Sequence, residues 1–266
     1  MSTMVSDRVK NMAESATLAM AAKARELKEK GINVISLSLG EPDFKTPKHI
    51  QEGAKAAIDE GKYFAYPPVN GYLDLRQAIS AKFKNENNLD YSPDQIVVSN
   101  GAKQSIANVF LALLNEGDEV VVFSPFWVSY SSLIELAGGV PVYAKGGIES
   151  DFKVTPEQLE QAITPKTKAI IYSSPCNPTG SVFTLEELTA ISEVIKKHKD
   201  IVVIADEIYE HINYTGAHAS IGAIEGMIDR TVTINGMAKG FAMTGWRVGY
   251  LGAPLWLAKA CNKIQG

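Results

Sequence analysis

A single lysine, Lys239, stands in the stretch NGMAKGFAMTGWRVGY, residues 235–250, beside Ala238 and Gly240 and with no acid in the window. An amine among small residues has three readings: an exposed turn lysine, a lysine that snorkels from a half-buried loop, or a desolvated amine that does chemistry. Arg247, in GWRVG, is either half of a structural ion pair or a guanidinium that shares an anion with the lysine. Asp206 follows the apolar run IVVIA. A carboxylate at the end of a buried strand needs a helix to cap, a cation or a proton donor. Tyr209, three residues later, is within reach of the same place. Asn177 in SPCNPTG is turn punctuation or an amide donor, and Trp127 in SPFW is core or a flat stacking surface. The turn SNGAK, residues 99–103, offers backbone N–H groups and a helix N-terminus to an anion.

The elements around these residues decide whether they meet. From residue 95 onward, short runs rich in β-branched residues (QIVVS, EVVVF, VPVYA, KAIIYS, IVVIADE, TVTIN, RVGYLGA) are mostly separated by amphipathic patterns such as KQSIANVFLALL and TLEELTAISEVIKKH. Near-continuous apolar strands alternating with helices predict an α/β fold: three α/β/α layers with a mostly parallel seven-stranded sheet. The short connection between the last two strands predicts that this pair is antiparallel. Upstream, helices are expected at 13–30, 47–60 and 72–87, with a short strand at 34–39 (VISLSL) followed by the turn GEPDF. Pro254 opens a further helix in PLWLAKACNKIQG. Ligands of parallel sheets bind beyond the carboxyl ends of the strands. Five strands run there into NGAKQ, SPFW, SPCNPTG, DEIY and NGMAKG, so the candidate residues share one edge.

Composition narrows the partners. The chain has 266 residues, is 45% hydrophobic and 21% charged, and carries a formal net charge of −4. This acidic balance is a poor match to nucleic acid or an anionic membrane. Two cysteines, Cys176 and Cys261, suggest neither a disulfide framework nor a zinc site, in keeping with a cytoplasmic protein. The N-terminal segment has acids inside it and no uninterrupted apolar core, unlike a signal peptide. The histidines, His49, His198, His211 and His218, lack metal-ligand spacing and are expected at the surface; no metal is expected.

An anion cradle, a flat stacking surface, a carboxylate suited to a ring nitrogen and an amine match pyridoxal 5′-phosphate better than a nucleotide. From SATLA through GEPDF, YFAYPPVNGYLDLR, SNGAKQ, SPFWVSY, SPCNPTG, ADEIYEH and NGMAKGFAMTGWRVGY, the chain resembles the fold-type I, class I/II aminotransferases, bacterial aspartate aminotransferases above all. The resemblance implies that Lys239 forms the Schiff base and shuttles the proton, that Asp206 partners the pyridinium nitrogen, and that Tyr209 and Asn177 donate to the ring's 3-oxygen. It places Gly101, Ala102, Lys103 and Arg247 at the phosphate and Trp127 over the ring. Tyr66 would reach the phosphate of a neighbouring subunit, which implies a homodimer with shared sites. Gly40, Trp127 and Asn177 would line the amino-acid substrate. Asp206, Tyr209 and Lys239 would be catalytic.

The implied reaction is transamination between L-aspartate and 2-oxoglutarate, an amino acid and a 2-oxo acid. ESATLAM resembles the N-terminal segment of the aspartate-acting subgroup, and Lys103 is also placed to hold a side-chain carboxylate. Residues 1–46 would be an N-terminal arm and part of a small domain, and 47–266 the large cofactor-binding domain. The rest of the small domain, with the arginine that grips the substrate α-carboxylate, would be absent. A second departure is Gly236 and Ala238, where many relatives carry a phosphate-binding serine. Three rivals stand: a cofactor-binding remnant without full activity, another enzyme of this fold (an aromatic aminotransferase or a C–S lyase), and an ATPase. The last requires a G-x-x-x-x-G-K-[ST] loop that the chain lacks.

Overall fold

The computed structural model describes residues 4–12, 16–35 and 40–266. Two N-terminal helices, α1 (Asp7–Asn11) and α2 (Ala16–Glu29), precede α3 (Lys48–Asp59) and α4 (Leu73–Asn87). The sheet and its crossovers then follow in order: β1 (Ile96–Ser99), α5 (Ala102–Leu113), β2 (Glu119–Ser124), α6 (Ser129–Leu136), β3 (Val140–Lys145), α7 (Pro156–Ala162), β4 (Thr167–Ser173), α8 (Leu185–Lys196), β5 (Val202–Asp206), β6 (Thr231–Gly236), β7 (Gly249–Gly252) and α9 (Leu255–Gln265). Among the described residues the helix expected at 13–30 spans Ala16–Glu29 and stops before Gly31, whose φ of 78° is left-handed. The strand expected at 34–39 falls largely on residues 36–39, outside the described residues, as does part of SATLA.

Seven strands form one sheet in the order β1-β7-β6-β5-β4-β2-β3. β6, β5, β4, β2 and β3 pair in parallel, while β7 runs antiparallel to both β6 and β1. β1 therefore points the same way as the parallel set. The carboxyl ends of β1, β2, β4, β5 and β6 lie along one edge, and the reversed β7 brings its beginning, next to Arg247, to that edge as well.

Alternation along the strands fills both faces. Val120, Val122, Ile171, Ile204 and Ile234 pack with residues of α5, α6 and α9 on one side. Val121, Ile170, Val203 and Ala205 pack with residues of α7 and α8 on the other. These are the three layers expected from the strand pattern, and each fully buried branched side chain contributes about 1.5–3 kcal/mol. A third cluster seats Ile79 and Phe83 of α4 on Ile96 and Tyr250.

Local signals set the helix starts. α7 and α8 open on capping boxes, Thr155 with Gln158 and Thr184 with Glu187, each reciprocating two backbone bonds. Pro254 is the N-cap of α9. Among the described residues no helix is long and apolar enough to cross a membrane.

Candidate active site

The end of β1 turns through Gly101, the N-cap of α5, at a φ of 83°. The first N–H groups of a helix have no carbonyl partner within it, so this turn is electropositive. Two neighbours press on it. A Cβ on Gly249, at the start of β7, would lie 2.1 Å from the Ala102 nitrogen. A Cβ on Gly101 would lie 2.3 Å from Nη2 of Arg247. Glycine is therefore favoured at 101 by its left-handed backbone, and a side chain there would push the Arg247 guanidinium off the turn. Arg247 is itself left-handed, with φ 58°, and its Nη1 donates to the Thr244 carbonyl at 2.9 Å. A guanidinium held against the first turn of a helix is a cradle for a dianion.

Lys239 follows β6 and is half-buried. Its Nζ donates to the Gly40 carbonyl and lies 5.5 Å from the centre of the Tyr209 ring. Burial holds the ammonium below its ordinary range; the nearby Arg247 charge acts in the same direction, and Glu41 and Asp206 oppose it. The amine is thus easier to deprotonate than a surface lysine. Tyr209 Oη accepts from the Asn177 amide at 3.3 Å. A Cβ on Gly40 would come 3.9 Å from that same hydroxyl, so Gly40, Lys239, Tyr209 and Asn177 are contiguous.

Asp206, the last residue of β5, is only 4% exposed. Burial raises its pKa to about 6 against the donors that favour its charge. Those donors are Tyr130 Oη, 2.5 Å from Oδ2, and the Ile208 amide, 3.3 Å from Oδ1. The bond from the Ile208 amide closes a local turn; no helix begins there, so Asp206 is not a helix cap. Tyr130 packs edge-on to Trp127 with ring centres 5.6 Å apart, and Lys103 Nζ lies 5.5 Å from the Trp127 ring.

An unbroken series of contacts therefore joins Gly40, Lys239, Tyr209 and Asn177, another joins Asp206 to Trp127 and Lys103 through Tyr130, and Arg247 closes on Gly101. Tyr66 stands apart, fully exposed at 102%. Sequence reasoning missed Tyr130. Its phenol is the main support of the Asp206 carboxylate, yet SPFWVSY marks it only as one more aromatic after a strand.

The surface assignment of His218 is corrected. Its side chain is 10% exposed, and its Nε2 sits 2.9 Å from the buried carboxylate of Glu207. A buried carboxylate at the end of β5 draws in a cation, and Glu207 also accepts from Ser220 at 2.7 Å. Glu207, Glu210 and His218 lie close enough to share a metal ion, although Lys82 already ion-pairs with Glu210.

A doubly covered, mostly parallel sheet with a lysine, a buried aspartate and an arginine-backed glycine turn along one edge defines a class. Residues 32–266 match the family described as aminotransferase class I and II, and the chain belongs to that family. It is 46% identical over 263 residues to an aspartate/prephenate aminotransferase of Nitrosomonas europaea, covering 98% of this chain and 66% of that one. It is 48% identical over 259 residues to an aspartate aminotransferase of Geobacillus stearothermophilus, covering 97% and 65%. A crystal structure of the Thermus thermophilus aspartate aminotransferase with maleate superposes with a TM-score of 0.95 at 44% identity, covering 99% of this chain and 68% of that chain. The chain thus spans about two thirds of the length of the curated relatives it matches.

Proposed function

We propose that this chain is the cofactor-binding body of a pyridoxal-phosphate-dependent aminotransferase that exchanges amino and oxo groups between L-aspartate and 2-oxoglutarate in the cytoplasm. The observation that carries this reading is the half-buried Lys239 amine, held below its ordinary proton affinity between a buried carboxyl and an arginine-backed glycine turn. The residues present fit the group. The Gly101–Ala102 turn with Arg247 suits a phosphate, and Asp206 is a buried carboxylate short of a cation. Trp127 offers a flat apolar face, and the Asn177–Tyr209 pair offers donors for a phenolic oxygen.

When bound, the cofactor supplies an aldehyde that condenses with amines and a ring that accepts electrons from the substrate α-carbon. The protein's own residues do the rest. Lys239 would hold the cofactor through its amine and, once free and neutral, would move a proton at the substrate α-carbon. Burial and the neighbouring Arg247 charge lower its proton affinity, so the neutral amine is easier to reach than in a surface lysine. Asp206 in its charged form would pair with a protonated ring nitrogen, with Tyr130 orienting that carboxylate. Asn177 and Tyr209 would donate to the ring oxygen. Lys103, beside Trp127, is placed for the side-chain carboxylate of an acidic substrate. Residues 1–46 act as arm and partial small domain on the body 47–266, and two copies share their sites through Tyr66.

One observation favours the reading of a binding body without turnover. Arg76 and Arg230 are spent on backbone carbonyls elsewhere, Gly71 and Pro93 for the first and Ile195, His198 and Lys199 for the second. Arg247 is committed to the Gly101 turn, so none of these three is free to grip a substrate α-carboxylate.

Both readings are tested by adding pyridoxal phosphate to the purified chain and recording absorbance before and after L-aspartate. Borohydride reduction followed by peptide mass spectrometry then locates the cofactor. The expected result is a pH-sensitive band, cofactor mass on Lys239 alone, and neither in Lys239→Ala. Conversion by aspartate supports transamination; a band that ignores aspartate supports the binding body. Label on other lysines with none on Lys239 sinks the assignment.

A further inference from the structure

Gln265, in the last turn of α9, uses its whole side-chain amide. Its Oε1 accepts from Ser99 Oγ at 2.8 Å and from Asn108 Nδ2 at 2.9 Å. Its Nε2 donates to the Val69 carbonyl at 2.6 Å and the Val98 carbonyl at 2.7 Å. Four bonds from one amide exhaust its donors and its acceptor lone pairs. They reach three separate pieces of chain: the end of β1, the middle of α5 and the loop at 69.

Those pieces frame the anion cradle. Val98 and Ser99 immediately precede the Asn100–Gly101–Ala102 turn, and Asn108 lies in α5, whose N-terminus is the anion-facing end. The loop at 69 is tied to β1 a second time, by the Val98 amide donating to the Asn70 carbonyl at 3.1 Å. A Cβ on Gly71 would lie 2.8 Å from the Val98 side chain, so the loop is pressed flat on the strand. Tyr66 stands three residues before Val69. Gln265 therefore fixes the height of the β1–α5 turn relative to the loop that carries Tyr66.

We propose that Gln265 is a positioning residue for the phosphate half of the cofactor site: a latch that sets the N–H groups of the Gly101–Ala102 turn against Arg247 without touching the ligand. This rests on the pyridoxal-phosphate reading above. A hydrogen-bond donor displaced by a fraction of an ångström loses much of its pull on a dianion, because such bonds are steep in distance and angle. Disturbing the latch should weaken recognition of the phosphate and leave recognition of the aldehyde intact.

The test compares two probes, pyridoxal 5′-phosphate and pyridoxal, which differ only in the phosphate. Dissociation constants of both are measured by absorbance titration of the full 266-residue chain, for wild type, Gln265→Met and Ser99→Ala. Methionine keeps the length of the side chain without its hydrogen bonds and adds no charge near the phosphate. Ser99→Ala removes one of the four bonds and serves as the milder variant if Gln265→Met does not fold. The expected result is a roughly tenfold or greater loss of affinity for the phosphorylated probe in Gln265→Met and a loss of a few-fold in Ser99→Ala. Pyridoxal should bind each within about twofold of wild type. Equal losses for both probes, or no loss for either, would overturn the latch. A wild-type chain that binds neither probe at Lys239 overturns the cofactor reading first and the latch with it, an outcome distinct from failure of the latch alone.

Discussion

Asp206 shows what a site costs its fold. Burial lifts its pKa from 3.8 to about 6, so at neutral pH the protein carries a carboxylate that its surroundings disfavour. The sign follows from linkage. A raised carboxyl pKa means that the folded chain binds the proton more tightly than the unfolded one. The penalty is therefore absent below pH 4, grows between pH 4 and 6, and is full above that. Asp206→Asn keeps the shape and an acceptor for Tyr130 while removing the charge. In protein stripped of cofactor it should be more stable than wild type at pH 7 by roughly 1–2 kcal/mol, the charge penalty less the lost bond from the Ile208 amide, with the advantage gone near pH 4. Urea unfolding at the two pH values measures this, and an Asp206→Asn chain no more stable at pH 7 refutes it. The same variant should hold pyridoxal phosphate more weakly, a trade of function against stability.

At the scale of elements, much of the frame is legible. Seven β-branched runs and their helices read directly because a strand buried on both faces leaves little but apolar residues. The turns at their ends read because glycine, asparagine and proline have few other uses there. Lys239 and Asp206 stand out in the sequence because each is a charge among small or apolar residues, whereas the exposed Arg247 stands out only by its nearness to Lys239. What was not legible depends on contacts across the sequence. Tyr130 meets Asp206 across 76 positions. The reversal of β7 against β1 joins segments with no local signal for each other. The tether of α4 is of the same kind: Asn87 donates to Glu210 at 2.7 Å, and Lys82 ion-pairs with it. Glu207 and His218 complete the cluster beside them. The groups that face His218 there are Glu207, Glu210 and Lys82; burial disfavours its charged form, but Glu207 outweighs this and raises its proton affinity. A raised histidine pKa stabilises the fold fully below about pH 6.5, and the effect is lost as pH rises through the folded value. His218→Gln should therefore cost on the order of 1–3 kcal/mol at pH 6 and progressively less at pH 8 and above. Denaturant melts across that range measure it, and parallel curves for the two proteins count against it.

For the whole molecule, the surface from α3 to α4 is dense in exposed apolar groups. Phe64 is 75% exposed and Tyr66 entirely so, with Ile58, Val69 and Leu73 also open to solvent. Under the proposed pairing of two copies, a second chain would cover these large apolar groups. A two-fold pair makes each such patch meet its own copy, and Tyr66 would then belong to the neighbour's site. This predicts a mass near twice 28.8 kDa in sedimentation equilibrium and a shift toward monomer in Phe64→Asp. Shared sites make a stricter demand. Lys239→Ala destroys the lysine but leaves Tyr66; Tyr66→Phe does the reverse. Each variant alone should bind pyridoxal phosphate poorly, the first without a Lys239 adduct and the second with reduced affinity. After the two are mixed and allowed to exchange chains, one of the two sites in each mixed dimer joins an intact lysine to an intact tyrosine. That site should recover wild-type affinity, seen as a tight phase in the titration and as label on Lys239 of the Tyr66→Phe chain. A mixture that titrates as the sum of its two components would mean that Tyr66 serves no neighbouring site, whatever the mass of the assembly.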